Sequence, residues 1–386
     1  MSETYDLAII GLGALGSSTA WHAARRGLSV IGLEQFELGH ERGASHDSSR
    51  ILRHSYHTPA YVDLTFDAYS DWADLEDSTG EQFVTVTGGL DLFPPDAAIP
   101  ISDYTTSMDA RGVAYEILGN DEVAERYPQL WLPEGTTSLF QERTAIVPAA
   151  RGTAAMQRRA VAHGAVLRDR TTVRSLVPRA DGVDLITDDG VVSAARVVVT
   201  ADAWSAALVE PLGVRLPLTV TEEQVTYFTP ADPEPFRPGR FPVWIWMDEP
   251  SYYGFPTYGE DTVKAAQDCG GPEVTGDSRS MQTDDAMLER LSGFMRTTFP
   301  ASGPATRSKR CLYTLTPDRD FVVSAVPGTP QVVVGLGAAH GYKFAATFGR
   351  LLTDVAVDGA TAADISAFSL DRAGLTDPAY QPNWMV

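Results

Sequence analysis

Three glycines near the start of the chain have the spacing that a bound nucleotide phosphate requires. Gly11, Gly13 and Gly16 directly follow the apolar run at 7–10 and lead into a predicted helix. In such a unit the first glycine permits a tight turn, the second lets the backbone approach a pyrophosphate, and the third lets helix and strand pack closely. Glu34 ends a second apolar run, 28–33, where a carboxylate can bind ribose hydroxyls. The pattern predicts a βαβ unit that binds a dinucleotide, and it does not distinguish NAD from FAD.

The composition excludes several classes of partner. The 386 residues include 51 acidic and 30 basic side chains, which gives a net charge of −21. Such a surface repels nucleic acid and anionic membranes, so we expect neither as a partner. Cys269 and Cys311 form no disulfide framework and no zinc-binding spacing, and no metal site is predicted.

The sequence also carries expectations about location. It contains no run of about 18 apolar residues, so no transmembrane helix is predicted. It enters its first predicted strand at once, and residues 383–386 are not a peroxisomal signal. We therefore expect a cytoplasmic protein, as a monomer or a small homo-oligomer.

Hydrophobic periodicity divides the chain into alternating segments. Helices are predicted at 17–26, 60–77, 148–163, 284–299 and 343–357. Strands are predicted at 7–10, 28–33, 82–95, 166–167, 173–177, 183–187, 191–192, 196–200 and 331–336, with a strand-rich aromatic segment at 214–265.

This order of segments predicts an α/β protein with a Rossmann-type nucleotide domain and a second domain of α+β type. We expect the nucleotide domain to comprise 1–80, 146–213 and 305–386. The second, substrate-binding domain would comprise 81–145 and 214–304 and rest on an antiparallel sheet. A nucleotide domain interrupted in this way is more common among FAD oxidases than among NAD dehydrogenases, so it favours FAD.

Five separated segments carry a second and more specific pattern. They are 42–55 (RGASHDSSRILRHS), 253–256 (YGFP), Lys264, 311–313 (CLY) and 340–344 (HGYKF). Together they resemble the monomeric sarcosine oxidase family, to which N-methyltryptophan and pipecolate oxidases are related. The resemblance spans the chain and implies a D-amino-acid-oxidase-like fold with bound FAD. It also implies oxidation of an N-substituted amino acid to an imine that hydrolyses, with O2 reduced to H2O2.

The resemblance assigns roles at the substrate. Arg53 would bind the substrate carboxylate with its planar guanidinium, and Lys343 would provide a second contact. Tyr253 would line the substrate cavity. Lys264 would place a positive charge where oxygen reacts. Such a charge stabilises superoxide, which is an anion.

The resemblance also assigns residues to the cofactor. Arg50 and His46 would lie beside the flavin, and Cys311 would carry it through a thioether. Lys309 and Arg310 would lower the pKa of Cys311, whereas Cys269 is interpreted as structural. The expected cofactor contacts are Gly11, Gly13, Ala14, Leu15, Gly16, Glu34, Gln35, Ser45, Ser49, Arg50, Val173, Ala201, Trp204, Cys311, Gly337, His340, Gly341 and Lys343.

Two departures from the family pattern bear on the substrate. Asp268 falls where sarcosine oxidases place a histidine, and Ala339 falls where they place a glycine. An aspartate at the substrate favours a hydroxylated or cationic substituent, and Trp244 with Trp246 would line a roomier pocket. These features predict a substituent bulkier than methyl and keep a fructosyl amino acid oxidase as an alternative.

Three further classes remain open on the sequence alone. An NAD(P)-dependent dehydrogenase would have no need of Lys264 or Cys311. A flavin amine dehydrogenase would pass electrons to a partner protein and release little peroxide. A non-catalytic nucleotide-binding module would show no turnover.

Overall fold

The computed structural model describes residues 4–383; residues 1–3 and 384–386, which fall within the predicted nucleotide domain, lie outside the described residues. The strands, in chain order, are β1 (Thr4–Ile10), β2 (Val30–Leu33), β3 (Arg50–Leu52), β4 (Thr85–Val86), β5 (Gly89–Phe93), β6 (Glu116–Leu118), β7 (Thr137–Gln141), β8 (Ala145–Val147), β9 (Val166–Arg168), β10 (Val173–Arg179), β11 (Gly182–Thr187), β12 (Gly190–Val199), β13 (Thr219–Phe228), β14 (Val243–Trp246), β15 (Ser251–Phe255), β16 (Val263–Asp268), β17 (Ala305–Leu315), β18 (Val322–Val326) and β19 (Thr329–Leu336). The α-helices are α1 (Ala14–Arg25), α2 (Pro59–Thr79), α3 (Ile101–Asp109), α4 (Asn120–Arg126), α5 (Ala149–Ala162), α6 (Ser205–Val209), α7 (Asp285–Thr298), α8 (Ala345–Asp358) and α9 (Ala373–Thr376).

The first sheet contains the predicted nucleotide-binding unit. Its strands follow the order β10-β11-β12-β1-β2-β9, and β19 pairs with β12 while β18 pairs with β19. β1 runs parallel to β2 and β12, and β12 runs parallel to β19. Parallel strands need crossover connections, which α1 provides between β1 and β2. α1 packs against α5 and α8, so the apolar strands of this sheet are buried under helices.

One strand of this sheet differs from the prediction. Residues 190–199 form the single strand β12, whereas the sequence pattern predicts separate strands at 191–192 and 196–200. β11 pairs with residues 190–194 and β1 pairs with 193–199, so the two ladders overlap. Because the two ladders overlap, the strand continues without a break through the small residues in its middle.

The second sheet has the order β17-β13-β16-β15-β14-β5-β7-β6. Its pairs are antiparallel except β14 with β5, which are parallel, so the predicted antiparallel sheet is mixed at this point. β17 pairs along β13 in this sheet, although the predicted boundary at 305 assigns it to the nucleotide domain. The division of the chain into two domains otherwise stays a prediction.

The turns that follow the parallel strands meet at one edge of the first sheet. Gly11 follows β1, Glu34 follows β2, Thr200 follows β12 and Gly337 follows β19. In open α/β sheets, ligands bind outside the carboxyl ends of the strands. Between residues 4 and 383, no helix is long and apolar enough to cross a membrane.

Candidate active site

A cavity of about 660 Å³ is lined by residues of the first and second sheets and of β3, which belongs to a third, three-stranded sheet with β8 and β4. One end is formed by the glycine turn after β1 and by Glu34 and Gln35 after β2. The other end is formed by charged and aromatic side chains from the loop before β3, from β15 to β17 and from the turn after β19. The cavity therefore joins the predicted nucleotide site to the predicted substrate site.

The glycine turn has the close contacts that the motif predicts. Gly11 has a φ of +89°, and a Cβ there would lie 2.6 Å from the carbonyl oxygen of Thr200. A Cβ on Gly16 would collide with the carbonyl oxygen of Gly11, so this glycine sets the spacing between α1 and β1. Gly11, Gly13, Ala14 and Leu15 line the cavity, whereas Gly16 lies behind them in the helix–strand contact.

Glu34 organises the end of β2. Its carboxylate accepts hydrogen bonds from the backbone N–H of Leu12 at 2.9 Å and of Phe36 at 3.1 Å. His40 Nε2 lies 3.4 Å from the same carboxylate. These contacts hold a buried acidic group at the cavity wall, in the position predicted for ribose binding.

The loop before β3 is tied together by Arg50. Its guanidinium donates to the carbonyl oxygens of Ser49 at 2.8 Å, Ala44 at 2.9 Å and His46 at 3.0 Å. In the same loop, Ser45 accepts a hydrogen bond from the N–H of Ala14. Arg50 therefore lines the cavity and also fixes the shape of the loop.

His46 is buried at the cavity wall in its neutral form. Burial, followed by the charge of Arg50, lowers the pKa of His46 to about 4. Neither of its ring nitrogens has a hydrogen-bond partner in the described part of the chain. A buried polar group without a partner is costly, so a bound molecule has a reason to contact His46 here.

Arg53 lies in the cavity with an acidic partner that the sequence reasoning missed. Its Nη1 donates to Asp91 Oδ1 at 3.0 Å, and both side chains are 6% exposed. The guanidinium also lies 4.8 Å from the centre of the Tyr56 ring. Asp91 interrupts the apolar run 90–93 in β5, and this buried acid was the signal for a paired charge.

Lys343 lies on the turn between β19 and α8 without an acidic partner. Its Nζ donates to the carbonyl oxygen of His340 at 3.1 Å, and no carboxylate of residues 4–383 pairs with it within 4.0 Å. Burial, with the charges of Arg53 and Arg319, lowers the pKa of Lys343 well below its ordinary value. The negative charge of an incoming carboxylate would counter the repulsion from the two guanidinium groups. Ala339 has a φ of +70° and so keeps the backbone conformation that a glycine would adopt in this turn.

Asp268 lines the cavity, but its charge is already matched. Arg319 donates to both carboxylate oxygens of Asp268, at 3.0 and 2.8 Å, and the Arg319 side chain is 2% exposed. The expectation that Asp268 selects a hydroxylated or cationic substituent stays a prediction. The pairing with Arg319 makes a cationic substituent the weaker of the two alternatives, because the charge of the carboxylate is already matched. Arg319 was missed because it lies in the turn between β17 and β18, next to two aspartates, where an arginine is ordinarily solvated.

The prediction that Trp244 and Trp246 line the substrate pocket is wrong. Successive side chains of a strand point to opposite faces, so these two share one face of β14 and Ile245 takes the other. Trp244 packs on Phe299 at a centroid distance of 4.3 Å, in the core outside the cavity. Ile245 lines the cavity instead.

Two tyrosine hydroxyls meet at the substrate end of the cavity. The hydroxyls of Tyr253 on β15 and Tyr313 on β17 lie 3.4 Å apart. Burial raises the pKa of both hydroxyls above the ordinary value, so both are protonated at neutral pH. Tyr253 thus lines the cavity, as predicted.

Lys264 is paired with a second acid that the sequence reasoning missed. Its Nζ lies 2.7 Å from Asp47 Oδ2 and donates to the carbonyl oxygen of Ser49 at 3.1 Å and to its Oγ at 3.2 Å. Lys264 and Ser49 lie behind the cavity wall, whereas Asp47 forms part of it. Ser49 therefore contacts Lys264 rather than the cavity, which differs from its predicted cofactor contact.

Cys311 lies at the cavity wall as a protonated thiol. Burial raises its pKa to about 11, against the opposing charge of Arg50. Lys309 and Arg310 do not activate it, because Lys309 pairs with Glu41 and Arg310 pairs with Glu222. The expected lowering of the Cys311 pKa is therefore wrong.

The remaining predicted cofactor contacts line the same cavity. Val173, Ala201, Trp204, Gly337, His340 and Gly341 all belong to its wall. In the described range 4–383, no group of three or more His, Cys, Asp and Glu side chains is arranged to hold a metal ion.

Comparison with known proteins places this geometry in a family. Residues 6–355 match the family model described as DAO: FAD dependent oxidoreductase. The chain is 33% identical over 381 residues to a monomeric sarcosine oxidase of Streptomyces avermitilis, covering 96% of this chain and 98% of the relative. It is 28% identical over 376 residues to an N-methyl-L-tryptophan oxidase of Yersinia pestis, covering 95% of this chain and 99% of the relative.

A solved structure has the same fold. NikD, described as an unusual amino acid oxidase essential for nikkomycin biosynthesis, superimposes with a TM-score of 0.87 and 29% sequence identity. The match covers 95% of this chain and 98% of that chain. The predicted fold is therefore confirmed, and so is the resemblance to the sarcosine oxidases.

Proposed function

The chain belongs to the FAD dependent oxidoreductase family, and on that premise we propose that it oxidises secondary amino acids with O2 as electron acceptor. A C–N bond of the substrate loses two electrons and two protons and becomes an imine, which water hydrolyses to an amine and a carbonyl compound. O2 takes up two electrons and two protons and becomes H2O2. The observation that carries the proposal is Lys343, a cavity-lining cation without an acidic partner among residues 4–383, in the cavity that begins at the nucleotide turn.

The residues of the cavity fit FAD. Gly11 and Gly13 line the cavity at the turn where this type of motif brings the backbone close to a pyrophosphate, and Glu34 lies at the position for a ribose. The unpartnered ring nitrogens of His46 provide polar groups that a bound molecule can satisfy. When bound, FAD supplies a two-electron acceptor for the reaction.

The chain's own residues bind and orient the substrate in this proposal. Lys343 donates to the substrate carboxylate from the cavity wall, and the guanidinium of Arg53 lines the cavity beside it. Tyr253 and Ile245 close the cavity from the second sheet and exclude water from the reacting bond. The substituent on nitrogen is left to experiment, because Trp244 lies outside the cavity and Asp268 is paired.

The product assay tests this proposal directly. The holoenzyme in air is given sarcosine, N-methyltryptophan, pipecolate and fructosyl-glycine separately, and O2 uptake, H2O2 and carbonyl product are measured. With one of these substrates, we expect the O2 consumed, the H2O2 formed and the carbonyl product formed to be equal in molar amount. The absence of turnover with every secondary amino acid, by a holoenzyme that carries its flavin, would reject the proposal.

A second candidate function is a flavin amine dehydrogenase. It is favoured by the position of Lys264, whose side chain lies behind the cavity wall rather than in the cavity itself. This enzyme would reduce an artificial dye rapidly with the same amine and release little H2O2. The ratio of dye reduction to peroxide release separates the two functions.

We propose in addition that Cys311 holds the cofactor covalently. Its thiol is buried at the cavity wall, and Arg50 is the first of the groups whose charge favours its thiolate. In the native protein we expect the flavin to stay with the polypeptide after acid precipitation. In Cys311→Ser it should be released into the supernatant, whereas flavin that stays attached would place the link elsewhere.

A further inference from the structure

Asp47 occupies an unusual backbone position next to Lys264. Its φ is +74°, in the left-handed region that only a small fraction of residues other than glycine adopt. This conformation brings its carboxylate 2.7 Å from Lys264 Nζ, and the two side chains are 6% and 3% exposed. The hydroxyl of Tyr227 donates to the other carboxylate oxygen at 2.5 Å. The carboxylate is therefore held from two sides in a buried position.

The surroundings of Lys264 make Asp47 the carboxylate in direct contact with it. The positive charge of Arg50, at the start of β3, disfavours the protonated form of Lys264. The thiol of Cys311 on β17 lies near Lys264. The rings of Phe255 and Tyr227 lie 5.0 and 6.0 Å from its Nζ. On the outer side of the pair, Lys309 Nζ lies 4.0 Å from Asp47. Among residues 4–383, Asp47 is the acidic residue whose carboxylate lies within 4.0 Å of Lys264 Nζ.

We propose that Asp47 is a positioning residue that sets the charge state of Lys264 and thereby the reaction of the reduced enzyme with O2. The inference rests on the proposed function, because it requires that the reduced enzyme reacts with O2. It assigns Lys264 to that reaction. There O2 takes two electrons and two protons from the reduced holoenzyme and becomes H2O2. The first electron makes O2 an anion, which a protonated Lys264 stabilises. Asp47 keeps Lys264 protonated to a higher pH than burial and Arg50 alone would allow.

The pH dependence of the oxygen reaction tests the inference without any amine substrate. The holoenzyme is reduced with dithionite, mixed with O2 in a stopped-flow instrument, and followed between pH 5 and pH 9.5. The pKa of Lys264, lowered mainly by burial to about 8, predicts that the rate constant falls above that pH in the native protein.

The matching variant is Asp47→Asn. Asparagine adopts the left-handed region as readily as aspartate and keeps an oxygen that can accept from Lys264, so the loop is preserved. Loss of the negative charge moves the fall in rate to lower pH by about one to three pH units. Asp47→Gly, which also suits this φ, should move the fall in the same direction.

Two control variants make the outcome specific. Glu260→Gln removes a negative charge beyond Tyr227, where Glu260 pairs with Arg307, and should leave the pH of the fall unchanged. Lys264→Met should abolish the fall.

An unchanged pH profile in both Asp47 variants would overturn the inference, as would a native profile without any fall. Because reduction by dithionite needs no amine, a shifted profile in a protein that oxidises none of the amines would reject the proposed function and support the role of Asp47.

Discussion

At the scale of single residues, the substrate end of the cavity is built from charges that are matched in pairs. Arg53 pairs with Asp91, and Arg319 pairs with Asp268. Among the described residues, Lys343 has no carboxylate within 4.0 Å; its Nζ contacts the carbonyl oxygen of His340 and lies over the rings of Tyr56 and Phe344. The charges of these two pairs are already matched, so at the substrate end a carboxylate gains most from the amine of Lys343.

This arrangement predicts that Lys343 dominates carboxylate binding. Lys343→Met should raise the KM of the amino acid about 10- to 100-fold, because a hydrogen bond to a charged group is lost. The melting temperature should not fall, since the variant removes a buried charge without leaving a carboxylate unpaired. Steady-state kinetics and thermal denaturation give the two readouts.

The chain offers a matched control for this variant. Lysine occurs at three positions, 264, 309 and 343. Lys309 pairs with Glu41 and is 33% exposed, so Lys309→Met should leave KM unchanged. An unaltered KM in Lys343→Met would remove Lys343 from the binding site.

Sequence reasoning located the cations but not their partners. Arg53 and Lys343 were predicted at the substrate because the resemblance covers their local segments. Asp91 and Arg319 come from β5 and from the turn after β17, and neither segment was part of the resemblance. A pairing between distant segments depends on how sheets pack, and a single sequence does not contain that information.

At the scale of elements, periodicity predicted the long helices and missed the short polar ones. α2, α5, α7 and α8 lie where the pattern placed them, whereas α3 and α4 were not predicted. α4 buries a single side chain, Val123, so it has almost no apolar face from which to infer a helix. In β14 the alternation was visible, but the face that meets the cavity was not, and this produced the error at Trp244.

The contact between α1 and β1 carries a prediction at this scale. Gly16→Ala adds a methyl group that meets the carbonyl oxygen of Gly11, a backbone atom that cannot move without separating the helix from the strand. We expect the purified variant to lose most of its bound flavin and to be destabilised by about 1 to 3 kcal/mol. The ratio of flavin to protein absorbance and a denaturant titration measure the two effects.

Gly27→Ala is the control for this substitution. Gly27 has a φ of +84°, but a Cβ there meets no atom within 4 Å. Gly27→Ala should therefore lower the free energy of unfolding by about 1 to 2 kcal/mol through backbone strain and leave the flavin content unchanged. Full flavin content in Gly16→Ala would contradict the assigned role of the α1–β1 contact.

At the scale of the whole molecule, the two large sheets provide different parts of one cavity wall. The first sheet provides the nucleotide turn, and the second provides Tyr253, Asp268 and Cys311. The net charge of −21 makes the cations at the cavity distinctive, because they lie inside an acidic protein. Oligomeric state and cellular location stay predictions, since they depend on surfaces and conditions outside this cavity.

The most direct test of the central claim is an anaerobic titration of the purified holoenzyme with a secondary amino acid. Oxidised flavin absorbs near about 450 nm, and this band disappears when the flavin takes up two electrons. We predict that one of sarcosine, N-methyltryptophan, pipecolate and fructosyl-glycine removes the band at one equivalent per flavin. A full flavin band that none of these four compounds diminishes would contradict the account.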